Sequence, residues 1–175
     1  IGCSFARNFL AIENPRVSLL SVGAEEGKGN RQVKDAYSVF RNSGLNFVGN
    51  IEGMDFFNNL ADVVVCDGFV GNVLMKFTEG LGPALADHLK KRLSRILGQE
   101  LARTTVDEIL PPISRSEESG GGPLLGVNGV VVVGHGHAKA VSVAGAIAMA
   151  KRAVEVDLVG STRKDLAKIE KQIQL

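Results

Sequence analysis

Apolar positions along the chain gather in short, nearly continuous runs, each closed by a glycine or a small polar residue. Residues 17–22, VSLLSV, form one such run and stop at Gly23, where the polar stretch GAEEGKGN begins. The run is short and does not alternate, so it predicts a buried strand followed by a loop. Residues 31–42 place Val33, Ala36, Tyr37 and Phe40 at helical spacing, which predicts a helix returning to the next strand. A second strand is expected at 46–50 (NFVGN), a third at 63–66 (VVVC) and a fourth in GVVVVGHGH from Gly129. Beyond Asn72 the pattern is helical. Gly80, Gly82 and Pro83 interrupt it, predicting a short helix to about Glu79 and a longer one from Pro83 to about Ala102. Residues 104–122, with two prolines, acidic and serine residues and three glycines, predict a loop or lid. The Ala-rich stretch 138–156 and STRKDLAKIEKQI, starting from a capping serine or threonine, predict two closing helices.

Apolar runs separated by helices imply a parallel sheet covered on both faces, because a half-exposed antiparallel strand would alternate. The expected fold class is therefore α/β, a three-layer α/β/α arrangement with a mainly parallel sheet, and 1–175 reads as a single α/β domain. Ligands of open parallel sheets bind outside the carboxyl ends of the strands. On this reading Gly23, the Gly49–Asn50 pair, the Asp67–Gly68 pair and the Gly134–His135 pair line one crevice.

Composition narrows the function. With 175 residues, 45% hydrophobic content and a net charge of +1, the chain can bury a sizeable core, and its 20 basic residues are dispersed, which does not suggest nucleic acid. No apolar run approaches the roughly 18 residues needed to span a bilayer, and IGCSFARNFL lacks the regions of a signal peptide, so a cytoplasmic location is expected. Cys3 and Cys66 have no metal or redox spacing, and Cys66, inside an apolar run, reads as a small buried hydrophobe.

The chemistry lies in the turns. Glycine-rich turns that lead into helices present unpaired N–H groups at the positive end of the helix dipole and so favour anions such as phosphate. DGFVGN, taken to precede a helix at Val73, and GHGHAK, ahead of the Ala-rich helix, both qualify, although neither completes a nucleotide-binding motif. His135, between two glycines, reads as a general acid or hydrogen-bond donor, or as a solvated loop residue. His137 and His88 read as surface residues. Lys28 brings positive charge to a bound anion or is simply solvated. Asp67 would repel phosphate, so its role is to orient a cation, to accept from a donor or to hold the N–H groups of its own turn. On the helix from Pro83, Leu85, Leu89, Leu93, Ile96 and Leu97 make an apolar stripe, with Lys90, Lys91, Arg92 and Arg95 largely elsewhere. That pattern suits either a packing helix or a basic amphipathic surface for anionic lipid.

IENPRVSLLSVGAEEGKGN, NFVGNIEGMD, ADVVVCDGFVGNVLMKFTEGL and PLLGVNGVVVVGHG resemble, in order and spacing, the signature blocks of PlsX-type phosphate acyltransferases of bacterial phospholipid synthesis. The likeness runs from about residue 6 to about residue 152 and makes the chain resemble the C-terminal half of a longer family member. It implies transfer of a long acyl group from acyl carrier protein to inorganic phosphate. It further implies an isopropylmalate dehydrogenase-like three-layer fold, a homodimer, peripheral membrane contact, and no metal or organic cofactor. Lys28, Asn30, Asp67, Asn72 and His135 fall on motif positions of the family's active crevice. The candidate catalytic residues are thus Lys28, Asp67 and His135, and the candidate substrate- and phosphate-binding residues Asn30, Asn50, Gly68, Gly71, Asn72, Gly134 and Gly136. A phosphotransacetylase-like enzyme using coenzyme A thioesters and a noncatalytic module that binds carrier protein or membrane are the alternatives.

Overall fold

The structure, a computed structural model, describes the backbone of residues 1–110, 120–134, 136 and 138–173. The chain divides into two compact units, one of residues 1–66, 122–133 and 146–175, the other of residues 67–121 and 134–145.

At the centre of the first unit stands β1 (Val17–Leu20), paired in parallel with β2 (Phe47–Ile51) on one side and β3 (Val63–Val65) on the other. Val17, Ser18 and Leu19 are all buried, which is the two-sided burial expected of an unalternating central strand. Between β1 and β2 the chain forms helix α2 (Arg31–Arg41), whose Tyr37 and Phe40 rings meet Phe47 with centroids 5.1 and 5.7 Å apart. The entry to the sheet is pinned by charge. Arg16 donates to Asp62 from its backbone N–H (2.7 Å), Nε (3.0 Å) and Nη2 (2.9 Å), and from Nη1 to the Asn59 carbonyl. These bonds lower the Asp62 pKa to about 2.

The rest of the first unit packs α1 (Gly2–Asn8) against the closing helices. Phe9, Ala153 and Leu158 are buried together, with Phe5, Leu125, Val130, Met149 and Val156 around them. The Arg152 guanidinium lies 4.9 Å from the Phe9 ring centroid and donates to the Phe9 carbonyl, a cation–π contact combined with a hydrogen bond.

The second unit is mainly a helical pair. Helix α3 runs without interruption through Gly68–Leu97 and carries Pro83 inside it, so the expected division into two helices is not observed. Gly98, at φ +79°, ends α3 where a side chain would be strained, and α4 (Gln99–Ile109) follows directly. Ala102 and Val106 of α4 are buried, and Lys90 of α3 reaches Asp107 of α4 at 2.6 Å. The loop predicted from 104 therefore begins later, and residues 111–119 lie outside the described residues.

Three further expectations are corrected. The run from Gly129 does not join the parallel sheet: Val132–Val133 (β5) pairs antiparallel with Gly122–Pro123 (β4) in a separate two-stranded ribbon. Cys66 is exposed, because it follows the end of an edge strand and not a covered one. After α5 (Ala140–Glu155), the last helix, α6 (Leu158–Ile173), starts earlier than Ser161. Asp157 serves as its cap, accepting from Gly160 N at 3.2 Å through Oδ1, while Thr162 is buried and its Oγ1 accepts from Ser4 Oγ. The coarse class, α/β with a parallel sheet and helices, is as the apolar pattern predicts, with three of the four expected strands in that sheet.

Candidate functional site

Lys28, Asn30 and Asn50 belong to the first unit; Asp67, Gly68, Gly71, Asn72, Gly134 and Gly136 belong to the second. His135 and His137 lie outside the described residues. His88 is exposed on α3.

The β1–α2 turn, residues 21–30, folds back on itself. Lys28 N donates to the Glu25 carbonyl at 3.0 Å, and the Lys28 side-chain stem lies over Gly23, where an added Cβ would meet Lys28 Cγ at 2.7 Å. Gly29 has φ +96°, and a Cβ there would come within 2.9 Å of Ser21 Oγ and 2.8 Å of Val33 Cγ1, so the turn demands glycine both conformationally and sterically. The Lys28 side chain is exposed and forms no salt bridge among the described residues; Glu26, in the same turn, pairs with Arg41 at 2.9 Å.

Asn30 caps α2, its Oδ1 accepting from Val33 N at 2.9 Å. The N–H groups of Arg31 and Gln32, at the first turn of α2, form no hydrogen bond among the described residues, the usual condition of first-turn donors without a ligand. Asn50, buried on β2, donates from Nδ2 to the Glu25 carbonyl at 3.0 Å and so ties the turn to the sheet. Ser21, the residue after β1, is not singled out by sequence because it sits within an apolar run. The signal that finds it is a hydroxyl at a strand's carboxyl end, one residue short of a glycine loop.

The β3–α3 turn is built differently. The helix starts at Gly68 and not at Val73, so Gly68, Gly71 and Asn72 occupy its first residues instead of a preceding loop. Asp67 is the cap, with Oδ1 accepting from Phe69 N at 2.8 Å and Val70 N at 3.4 Å, while Gly71 N donates to the Asp67 carbonyl at 2.9 Å. Of the roles open to Asp67, holding the N–H groups of its own turn is the one its hydrogen bonds display. The donors a free anion would use at this helix start are largely occupied by the chain's own carboxylate.

In the second unit Gly134 approaches another backbone closely, since a Cβ on it would lie 3.1 Å from the Gly120 carbonyl oxygen, whereas one on Gly136 would meet nothing within 4 Å. A cavity of about 360 Å³ in the first unit, lined by Leu124, Val130, Leu158, Thr162 and Arg163 among others, contains none of the candidate residues. No described helix is long and apolar enough to cross a membrane.

Comparison with known proteins agrees with the motif likeness. A family model described as "Fatty acid synthesis protein" matches residues 1–160. Proteins named phosphate acyltransferase match at 43% identity over 173 residues in Pelotomaculum thermopropionicum, 40% over 173 residues in Acetivibrio thermocellus and 39% over 173 residues in Halothermothrix orenii. These alignments cover 97%, 97% and 96% of this chain but 51%, 51% and 52% of the respective relatives, so the chain spans about half the length of the curated relatives it matches. With the family model covering most of its residues and relatives near 40% identity, the chain belongs to the fatty acid synthesis protein family, that of the phosphate acyltransferases.

Proposed function

We propose that this chain supplies the phosphate-binding part of an enzyme that transfers a long acyl group from acyl carrier protein to orthophosphate. A phosphate oxygen attacks the thioester carbonyl carbon, the C–S bond breaks, the thiolate takes up a proton, and acyl phosphate and free thiol result. Orthophosphate is already anionic near neutral pH, so the protein's task is to desolvate it, hold it and aim it.

The observation that carries this reading is the β1–α2 turn. It combines a lysine without a salt bridge and two unpaired N–H groups at a helix start, both among the described residues, with a glycine that cannot be replaced without strain. Lys28 and the amides of Arg31 and Gln32 hold the phosphate; Asn30 keeps α2 in register for them; Asn50 fixes the turn. Asp67, with Gly68, Gly71 and Asn72, sets the start of α3 and serves as a positioning residue. His135, with Gly134 and Gly136 beside it, is assigned to the oxyanion of the tetrahedral intermediate on the family resemblance, and loss of such a donor costs about 3 kcal/mol of transition-state stabilisation. Dimerisation, and peripheral membrane contact through the exposed Arg92 and Arg95 of α3, in a cytoplasmic protein, complete the proposal.

The test is acyl-phosphate formation by this chain and by a longer form of the relatives' length, with acyl carrier protein and coenzyme A thioesters compared as donors. The reading expects product from the carrier-protein thioester in the longer form. Product from coenzyme A thioesters alone would favour a phosphotransacetylase-like enzyme, and none from either would overturn the proposal.

A further inference from the structure

Two buried oxygens at the carboxyl ends of β1 and β2 have no hydrogen-bond partner among the described residues: Ser21 Oγ and Asn50 Oδ1. Asn50 is 6% exposed. Its amide orientation is fixed, because Nδ2 donates to the Glu25 carbonyl and turning the group over would set two carbonyl oxygens against each other. The two side chains share a face of the sheet. Asn50 is the registered partner of Leu19, and Ser21 lies two residues beyond Leu19. A third unpartnered oxygen, Ser18 Oγ, belongs to the opposite face and takes no part.

Leaving a buried acceptor unsatisfied is costly, and folded proteins seldom do so without a reason. Asn50 Oδ1 can only accept, so whatever satisfies it carries a proton. Nearby stand the start of α2, whose positive end favours negative charge, and Lys28, in a loop that also carries Glu25 and Glu26. The occupant that meets both demands is an oxyanion bearing a hydroxyl. Orthophosphate retains at least one proton near neutral pH; sulfate, with nearly the same shape and charge, retains none.

We propose that Asn50 Oδ1 accepts the hydrogen bond of the P–OH group of hydrogen phosphate while Ser21 Oγ donates to one of its unprotonated oxygens, so that this pair selects protonated oxyanions against sulfate. The proposal rests on the reading of the β1–α2 turn as the phosphate site. The Gly23–Gly29 loop packs beside both side chains, with Gly29 over Ser21 Oγ and the Glu25 carbonyl accepting from Asn50 Nδ2.

Calorimetric titration of the chain with phosphate, arsenate and sulfate at constant ionic strength tests the selection. Phosphate and arsenate should bind about tenfold tighter than sulfate or better, the scale of one well-placed hydrogen bond to a charged group. In Asn50→Ala, with folding checked by thermal unfolding, the three affinities should converge. Ser21→Ala, which leaves the Asn50–Glu25 bond in place, should weaken all three alike and keep the preference. Equal binding of sulfate and phosphate by the unaltered chain would overturn the selection while leaving the phosphate site standing, whereas binding of none of the three would overturn both. A preference that survives in folded Asn50→Ala would remove Asn50 from the role.

Discussion

The turns before α2 and α3 use the same sequence grammar, a strand running into glycines and then a helix, yet their helix starts are satisfied in opposite ways. Before α3, the Asp67 carboxylate takes the Phe69 and Val70 amides, so the positive end of the helix already holds an anion supplied by the chain. Before α2, among the described residues, the neutral Asn30 takes only Val33 N, the Arg31 and Gln32 amides stay unpaired, and Ser21 and Asn50 keep oxygens without partners. A glycine-rich turn is therefore not a phosphate site by composition. The charge of the residue at the cap and the donors it leaves free decide which turn is closed to an anion and which is open.

The sharpest way to break this contrast is Gly29→Ala. Its φ of +96° and the approach to Ser21 and Val33 leave no room for a methyl group, so the β1–α2 turn should rearrange. Phosphate binding should be lost, and stability should fall by about 1–3 kcal/mol, read by calorimetry and denaturant unfolding. Lys28→Ala should leave stability unchanged and weaken phosphate binding about tenfold, with a matching rise in the phosphate concentration needed for half-maximal rate in the active form. Asp67→Ala should destabilise by about 1 kcal/mol, the usual loss for a cap. It should also free the Phe69 and Val70 amides, so that added sulfate raises the thermal midpoint of this variant more than that of the unaltered chain.

The smallest expected effect concerns the sheet from which both turns emerge. Asp62 has a folded pKa of about 2, below the 3.8 of an ordinary aspartate, because Arg16 bonds to its charged form. Its contribution is therefore fully present above about pH 4 and is lost as pH falls toward 2. Asp62→Asn should lower the thermal midpoint at pH 7 by a few degrees and flatten the acid limb of a stability-versus-pH curve between about pH 4 and 2.

Much of this arrangement was legible from residue order. The VSLLSV run becomes a strand buried on both faces, and the Val33–Phe40 spacing becomes α2, because period and length report burial directly. GVVVVGHGH was misleading for a physical reason: an apolar run states that it seeks cover, not which strand covers it, and Val132–Val133 finds Gly122–Pro123. The Gly80–Pro83 interruption was over-read. Proline removes one hydrogen bond and glycine lowers helix propensity, yet the helix runs on through both, with Gly82 buried. At the site, the glycines and Lys28 were visible in sequence, whereas the start of α3 at Gly68 and the unpartnered oxygens of Ser21 and Asn50 were not. Hydrogen-bond partners are a property of the folded backbone and are not encoded in spacing.

The central claim is that orthophosphate binds at the β1–α2 turn and not at the β3–α3 turn. A phosphate titration followed by amide chemical shifts tests it most directly. Saturable shifts at Ser21, Lys28, Arg31 and Gln32 and at the Asn50 side-chain amide, with Phe69 and Val70 unmoved, are the predicted result; shifts at Phe69 and Val70 with the β1–α2 turn unmoved would contradict it.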